Sequence, residues 1–179
     1  KKGAQVTVQK GAGLGSNISD DAFAAAGATV VAGAAATKGA DLVLCVRRPD
    51  DAVLKGLKAG TLVVGGLDPF GDRKTLEAFA KSGVTAFAME LMPRITRAQV
   101  MDALSSQASL AGYQAVLLAA VSMPKILPMM TTAAGTIPAA RMLVIGAGVA
   151  GLQAIATARR LGAVVEAYDT RPAVKEQIE

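Results

Sequence analysis

Histidine and tryptophan are both absent from the sequence, and cysteine occurs once. Dehydrogenases that act on hydroxy or amino acids often use a histidine to move the substrate proton, which this chain cannot do with its own residues. The same absence removes the histidine–cysteine clusters that hold zinc. A single cysteine excludes an internal disulfide framework, and Cys45 lies in an apolar run, which predicts a buried small side chain.

Long apolar runs and clustered basic residues are missing as well. No stretch approaches the roughly 20 apolar residues that a membrane helix requires, and no signal peptide is recognisable. The net charge is +5, but lysine and arginine are scattered and aromatic residues make up only 3%. We therefore expect no nucleic-acid partner and no membrane insertion by this chain. The chain starts at Lys1 without methionine and stops at Glu179 within a predicted helix, so both ends look cut.

Apolar residues make up 52% of the chain, and short apolar runs alternate with amphipathic segments. The runs predict strands at residues 5–9, 29–31, 41–46, 61–64, 85–91, 142–145 and 164–168. The amphipathic segments predict helices at residues 21–26, 50–57, 73–82 and 152–161. This alternation is typical of an α/β fold with parallel sheets, flanking helices and right-handed crossovers.

For three regions the sequence also predicts which residues are buried or where an element begins and ends. Residues 41–46 form a continuous apolar run, typical of a strand buried on both faces of a parallel sheet. The helix at 73–82 is expected to bury Leu76, Phe79 and Ala80 on one face. Residues 94–107 are predicted to form a loop, followed by a long helix over 114–121 that joins two domains, residues 1–105 and 106–179.

A dinucleotide-binding pattern occupies residues 141–169. A predicted strand leads into Gly146, Gly148 and Gly151, spaced as G-x-G-x-x-G, and a helix follows. The next strand ends in Asp169, which lies 23 positions after Gly146, close to the roughly 20 that such sites show. The alternative, a glycine-rich turn without a ligand, is disfavoured because strand, turn, helix and acid all occur together.

Each part of the pattern has a physical role. Gly146 permits the tight turn, Gly148 lets the backbone approach a pyrophosphate, and Gly151 permits close helix–strand packing. The helix N-terminus attracts phosphates. Asp169 accepts hydrogen bonds from the ribose hydroxyls and repels a 2′-phosphate, which favours NAD over NADP, although Arg171 softens that preference. The candidate cofactor contacts are Thr132, Gly146, Gly148, Val149, Ala150, Gly151, Asp169, Thr170 and Arg171.

A second glycine-rich turn, at residues 11–15, also follows a predicted strand. Ser16 stands where the pattern requires its third glycine, and the strand at Thr29–Val31 does not end in an acid. We interpret this turn as structural.

The run MELMPRITRAQVMDALSSQASLAGYQAVLLAA from Met89 resembles the NAD(H)-binding component of the proton-translocating NAD(P) transhydrogenases, the alpha subunit. So do the run from Met130 to Glu179 and, more loosely, residues 5–31. The resemblance implies two Rossmann-like domains joined by helices, with NAD(H) in the cleft between them. It also implies that both domains are incomplete here, because the family pattern extends beyond each end of this chain.

The resemblance further implies a set of residues beside the nicotinamide: Arg94, Gln99, Asp102 and Ser105. Arg94 and Asp102 would orient the carboxamide, Gln99 would contact both nucleotides, and Ser105 would assist. From the residues alone, a capped loop and an exposed helix face explain these side chains better. Two other functions stay open: an alanine dehydrogenase-like amino-acid dehydrogenase, which needs an acid–base group, and a non-catalytic NAD-binding module.

The resemblance implies partners as well. It places NADP(H) on a partner component, adds a membrane-spanning component that couples hydride transfer to proton translocation, and implies a homodimer. The chain would then be a peripheral component on the cytoplasmic side of the membrane, or on the matrix side in mitochondria.

Overall fold

Strands and helices alternate along residues 3–178, which are the residues that the computed structural model describes. The chain divides into two compact units, Lys1–Ala98 and Gln99–Glu179. The division into domains 1–105 and 106–179 stays a prediction. The predicted C-terminal helix includes Glu179, which lies outside the described residues.

The first unit contains five short strands and three helices among its described residues. The strands are β1 (Thr7–Gln9), β2 (Thr29–Val31), β3 (Leu42–Cys45), β4 (Leu62–Gly65) and β5 (Thr85–Ala88). The helices are α1 (Asp20–Ala25), α2 (Asp51–Lys55) and α3 (Arg73–Ser82). Strand β1 pairs with β2, and β4 pairs with both β3 and β5, all in parallel. The predicted parallel α/β fold is confirmed.

Each of the three helices is preceded by a residue whose side chain caps its N-terminus. Ser19, Asp50 and Asp72 each accept a hydrogen bond from a backbone N–H of the first turn that follows. Such caps satisfy donors that the helix itself leaves unpaired. Helix α3 has the predicted bounds because its cap, its amphipathic pattern and Gly83 at its end all agree.

The core of the first unit lies between β3, β4 and the helices α2 and α3. It consists of Val43, Leu54, Leu57, Val63, Leu67 and Phe79. The expectation that β3 is buried on both faces is wrong, since Leu42 is 49% and Leu44 73% exposed. Successive strand side chains point to opposite faces, and only the face that carries Val43 packs against the described helices.

Two further predictions for this unit need correction. Helix α3 buries Phe79, but Leu76 and Ala80 are exposed, and Ala78 packs against the core instead. Cys45 is half-buried and donates a long hydrogen bond of 3.6 Å to the Val64 carbonyl oxygen. Its burial raises the pKa of the thiol.

The second unit is built around two packed helices. Its elements are α4 (Ala103–Ser122), β6 (Met130–Thr132), β7 (Gly135–Ile137), β8 (Arg141–Ile145), α5 (Val149–Arg160), β9 (Val164–Tyr168) and α6 (Lys175–Ile178). Strands β8 and β9 are parallel, whereas β6 and β7 form an antiparallel hairpin. The buried core contains Val116, Leu127, Ala140, Ala158 and Ala163.

Helix α4 begins eleven residues before the predicted helix, so the loop predicted over 94–107 is wrong in its second half. The helix starts where the Asp102 carboxylate accepts a hydrogen bond from the Ser105 N–H at 3.0 Å. It continues through Gly112, where an added Cβ would overlap the Ala150 carbonyl oxygen. The glycine therefore serves contact between two helix backbones and does not mark a helix start.

The hairpin β6–β7 was not predicted. Its strands are exposed throughout, so no alternation of apolar and polar residues marks them. Thr132 Oγ1 accepts from the Ala134 N–H at 3.2 Å and donates to the Gly135 carbonyl oxygen at 3.0 Å, which closes the turn. No described helix has both the length and the apolar character that crossing a membrane demands.

Candidate functional site

The turn between β8 and α5 carries the glycine pattern predicted to bind a dinucleotide. Strand β8 ends at Ile145, and Gly146 adopts φ +97°, a conformation that side chains disfavour. Helix α5 begins after Gly148 without a side-chain cap. Because no side chain among the described residues 3–178 accepts from its first N–H groups, this helix end is open to an anionic ligand.

The glycines at positions 148 and 151 differ in surroundings. A Cβ added at Gly148 would meet nothing within 4 Å, so protein packing does not require a glycine there. A Cβ added at Gly151 would overlap the Gly146 carbonyl oxygen. Packing therefore requires Gly151, whereas Gly148 leaves open space beside the turn, where a ligand can approach the backbone.

Asp169 lies at the same edge of the sheet as this turn. It directly follows β9, and β8 and β9 are parallel neighbours whose carboxyl ends meet. Its Oδ2 atom accepts a 2.7 Å hydrogen bond from the Ala147 N–H, and its side chain is 7% exposed. Ala147 is buried and was not among the predicted contacts. The structure therefore joins the predicted acid directly to the predicted turn.

Arg171 also binds this carboxylate. Its Nε donates to Oδ1 and its Nη2 to Oδ2, both at 3.0 Å, and its backbone N–H donates to Oδ1 at 2.8 Å. The Arg171 side chain and then the Ala147 N–H hold the pKa of Asp169 far below its usual range. The carboxylate is therefore charged at any physiological pH, and Arg171 is an ion-pair partner instead of a free cation.

The other predicted cofactor contacts are distributed around the same turn. Val149 and Ala150 belong to the first turn of α5, with Val149 47% exposed, and exposed Thr170 lies between Asp169 and Arg171. Thr132 is distant in sequence from this turn, and its hydroxyl group makes hydrogen bonds within the β6–β7 hairpin.

Asp102 and Ser105, two of the predicted nicotinamide-site residues, meet at the start of α4. Besides its bond to the Ser105 N–H, the Asp102 carboxylate accepts a 2.7 Å hydrogen bond from the Ser105 hydroxyl. The Asp102 N–H donates to the Gln99 carbonyl oxygen at 3.2 Å. These contacts are those of an ordinary helix cap, so they place the residues without identifying a ligand.

Arg94 and Gln99 are both exposed, and they fall in different units. Arg94 is the central residue of a tight turn in which the Ile95 N–H donates to the Pro93 carbonyl oxygen at 2.9 Å. Gln99 lies in the 3-10 helix Thr96–Met101.

Helix α4 contacts α5 closely within the second unit. The overlap that excludes a Cβ at Gly112 involves Ala150, in the first turn of the helix that follows the glycine pattern. The Ser109 hydroxyl donates to Gln153 Oε1 at 3.4 Å. The helix that Asp102 begins is therefore packed against the helix that begins at the candidate phosphate-binding turn.

The second glycine-rich turn folds back on itself. Asp20 Oδ1 accepts from the Gly11 N–H at 2.8 Å, and the Gly13 carbonyl oxygen accepts from the N–H groups of Ser16 and Ile18. A Cβ at Gly13 would lie 2.6 Å from the Ile18 carbonyl oxygen. The internal hydrogen bonds of this turn and the close packing at Gly13 support the structural interpretation. Among the described residues, no group of His, Cys, Asp or Glu could hold a metal ion.

Comparison with known proteins matches the chain to two family models. Residues 1–111 match the model described as alanine dehydrogenase/PNT, N-terminal domain, and residues 115–179 match the corresponding C-terminal domain.

Individual relatives carry related names. The chain is 54% identical to a Rhodospirillum rubrum protein named as the first part of NAD(P) transhydrogenase subunit alpha, with 99% of the chain and 48% of that protein aligned. It is 32% identical to alanine dehydrogenase of Mycobacterium tuberculosis, with 94% of the chain and 46% of that protein aligned. The crystal structure of transhydrogenase from Sinorhizobium meliloti matches with 60% identity and a TM-score of 0.94, covering 98% of this chain and 53% of that one. The chain thus spans about half the length of the relatives it matches.

Proposed function

This chain belongs to the alanine dehydrogenase/PNT family, and we propose that it provides the NAD(H)-binding part of an NAD(P) transhydrogenase. The relatives at high identity carry the transhydrogenase name, and identity to an alanine dehydrogenase is lower. In the proposed reaction, hydride passes directly from NADH to NADP⁺ on a partner component, and the full complex couples this transfer to proton translocation.

The observation that carries the cofactor proposal is the contact between Asp169 and the glycine turn. A buried carboxylate bonded to the Ala147 N–H stands beside an uncapped helix N-terminus and the open space at Gly148. Phosphates suit the helix end, and ribose hydroxyls suit the carboxylate. A nicotinamide dinucleotide carries both of these groups.

The charge at Asp169 favours NAD(H) over NADP(H). A carboxylate that stays ionised repels a 2′-phosphate on the ribose that it would otherwise bind. Arg171 weakens this repulsion, but both of its donating nitrogens point at the same carboxylate. Because its charge is already paired with Asp169, Arg171 attracts a 2′-phosphate less strongly than an unpaired arginine would.

In the proposed reaction, the protein acts mainly by positioning the nicotinamide rings of the two nucleotides. Direct hydride transfer between two nicotinamide rings releases no proton at the reacting carbons, so a chain without histidine is chemically sufficient. In the proposal, Arg94 and Asp102 orient the carboxamide, Gln99 contacts both nucleotides, and Ser105 holds Asp102 through their 2.7 Å hydrogen bond. Correct alignment of the reacting atoms lowers the barrier by removing motional freedom in advance.

The proposed partners are an NADP(H)-binding component and a membrane-spanning component. We also propose a homodimer, peripheral to the membrane on its cytoplasmic side, or on the matrix side in mitochondria. The name of the Rhodospirillum relative, which describes a portion of one subunit, supports a multicomponent enzyme.

Replacing Gln99 by asparagine tests the hydride-transfer proposal. We expect Gln99→Asn to slow transfer from NADH to an NADP⁺ analogue by about 10- to 100-fold, because the shortened side chain no longer aligns both rings. NADH affinity should change much less. Stopped-flow absorbance of the complete enzyme measures the first quantity and calorimetry the second.

Gln107→Asn is the matched control, since Gln107 is also exposed and lies on α4. It should leave both quantities unchanged. Equal losses of rate and affinity in Gln99→Asn would argue against a role between the two nucleotides. Pyruvate-dependent oxidation of NADH by the unaltered protein would instead favour the amino-acid dehydrogenase, and NADH binding without any turnover would favour a non-catalytic module.

A further inference from the structure

Glu90 binds the backbone of a neighbouring loop through both carboxylate oxygens. It lies in the 3-10 turn Met89–Leu91, directly after β5. Its Oε1 accepts from the Asp68 N–H at 2.8 Å, and its Oε2 accepts from the Leu67 N–H at 3.2 Å. Leu67 and Asp68 follow β4, the strand beside β5. The carboxylate therefore connects the carboxyl ends of two adjacent parallel strands.

The Glu90 carboxylate is stabilised in its charged form. Partial burial raises the pKa of Glu90, but the N–H groups of Asp68, Glu90 itself and Leu67 outweigh that effect, so the pKa lies below its usual value. Hydrogen bonds to an ionised acceptor are stronger than those between neutral groups. Both contacts therefore persist at neutral pH.

The loop that Glu90 binds is firmly held. The Leu67 side chain is 5% exposed and belongs to the core of the first unit. A Cβ at Gly66 would lie 2.8 Å from the Val46 carbonyl oxygen, so the loop backbone runs close to the residue that follows β3. Glu90 is therefore attached to a part of the fold that packing keeps in place.

Only three residues separate Glu90 from Arg94, and they are conformationally restricted. The Met92 N–H donates to the Met89 carbonyl oxygen at 3.2 Å, and Pro93 follows with its fixed φ. The Ile95 N–H then closes the turn around Arg94. Within residues 3–178, the Arg94 side chain makes no ion pair or side-chain hydrogen bond, so the backbone alone sets the point from which it extends.

We propose that Glu90 is a positioning residue for Arg94. By binding the N–H groups of Leu67 and Asp68, its carboxylate fixes the start of the restricted segment and thereby the origin of the Arg94 side chain. This inference rests on the proposed function, in which Arg94 orients the nicotinamide.

The test is a double-mutant cycle in the complete enzyme. Glu90→Gln has the same shape, but its amide nitrogen cannot accept one of the two hydrogen bonds. We expect it to slow hydride transfer on the order of 10-fold. In an Arg94→Ala background, the same change should slow transfer by less than about twofold, because nothing remains to be positioned.

Asp50→Asn is the control, because Asp50 also accepts a backbone N–H at 2.8 Å in the same unit, at the start of α2. It should not slow transfer, and it should change thermal stability little, because asparagine caps a helix about as well as aspartate. If Glu90→Gln does not fold, Glu90→Asp takes its place, since it keeps the charge but shortens the reach.

The outcomes separate the two proposals. The positioning role of Glu90 would be overturned if the two substitutions slowed hydride transfer independently, so that their effects multiplied in the double variant. An unchanged rate in Glu90→Gln would overturn it too. Neither result would contradict the proposed role of Arg94. An unchanged rate in Arg94→Ala would overturn the proposed role of Arg94 and the positioning role together.

Discussion

Gly148→Ala is expected to lower the affinity for NADH on the order of 100-fold without destabilising the protein. Apart from its chain neighbours, the added methyl group meets no atom of the described residues within 4 Å, so folding tolerates it. It would occupy the space through which a pyrophosphate reaches the backbone N–H groups of α5, and losing one or two hydrogen bonds to a charged group has an effect of this size. Calorimetry with NADH and thermal unfolding measure the two quantities.

Two glycine variants make this result interpretable. Gly151→Ala should reduce both affinity and stability, because its methyl group would overlap the Gly146 carbonyl oxygen. Gly15→Ala, in the second glycine-rich turn, has open space and should change neither. Full NADH affinity in a folded Gly148→Ala protein would remove this turn from the binding site.

Gly112→Ala is expected to destabilise the protein by about 1–2 kcal/mol, although alanine favours a helix more than glycine does. The gain in helix propensity is about 1 kcal/mol. Overpacking a tight contact costs about 1–3 kcal/mol, and we expect the upper half of that range here because the overlap is with backbone, which cannot rotate away. NADH affinity should fall as well, because the displaced atom belongs to Ala150 in the first turn of α5.

Ala111→Leu provides the comparison for this variant. It adds more atoms than Gly112→Ala, but Ala111 is exposed on the same helix, so stability should change by no more than about 0.5 kcal/mol. Chemical unfolding of both variants measures the difference. A Gly112→Ala protein as stable as the unaltered one would show that α4 and α5 do not depend on this contact.

Local sequence patterns were sufficient to predict the bounds of a helix and two strands. Helix α3 and strands β2 and β9 have the predicted bounds, and the turn from Gly146 to Gly151 joins a strand to a helix as expected. Helix α3 combines an amphipathic pattern with a cap and Gly83 at its end, and the two strands are short runs that begin shortly after Gly27 and Gly162, so local preference and tertiary packing agree.

Other features depend on contacts between distant residues. Gly112 resembles a helix boundary until Ala150 is placed against it, and the exposure of Leu44 depends on which face of β3 the helices cover. The sequence predicted an acid at position 169 but not its bond to the Ala147 N–H, which spans 22 positions. Glu90 was missed because a carboxylate that binds backbone N–H groups leaves no local pattern.

Calorimetry of NADH and NADPH binding, to this chain and to its Asp169→Ala variant, tests the proposed cofactor site most directly. We predict that the unaltered protein binds NADH more tightly than NADPH. Asp169→Ala should lower NADH affinity by about 10- to 100-fold, as expected for losing hydrogen bonds to a charged acceptor, and should narrow the difference between the nucleotides. Equal affinities for NADH and NADPH in the unaltered protein, or an unchanged NADH affinity in folded Asp169→Ala, would contradict the proposed site.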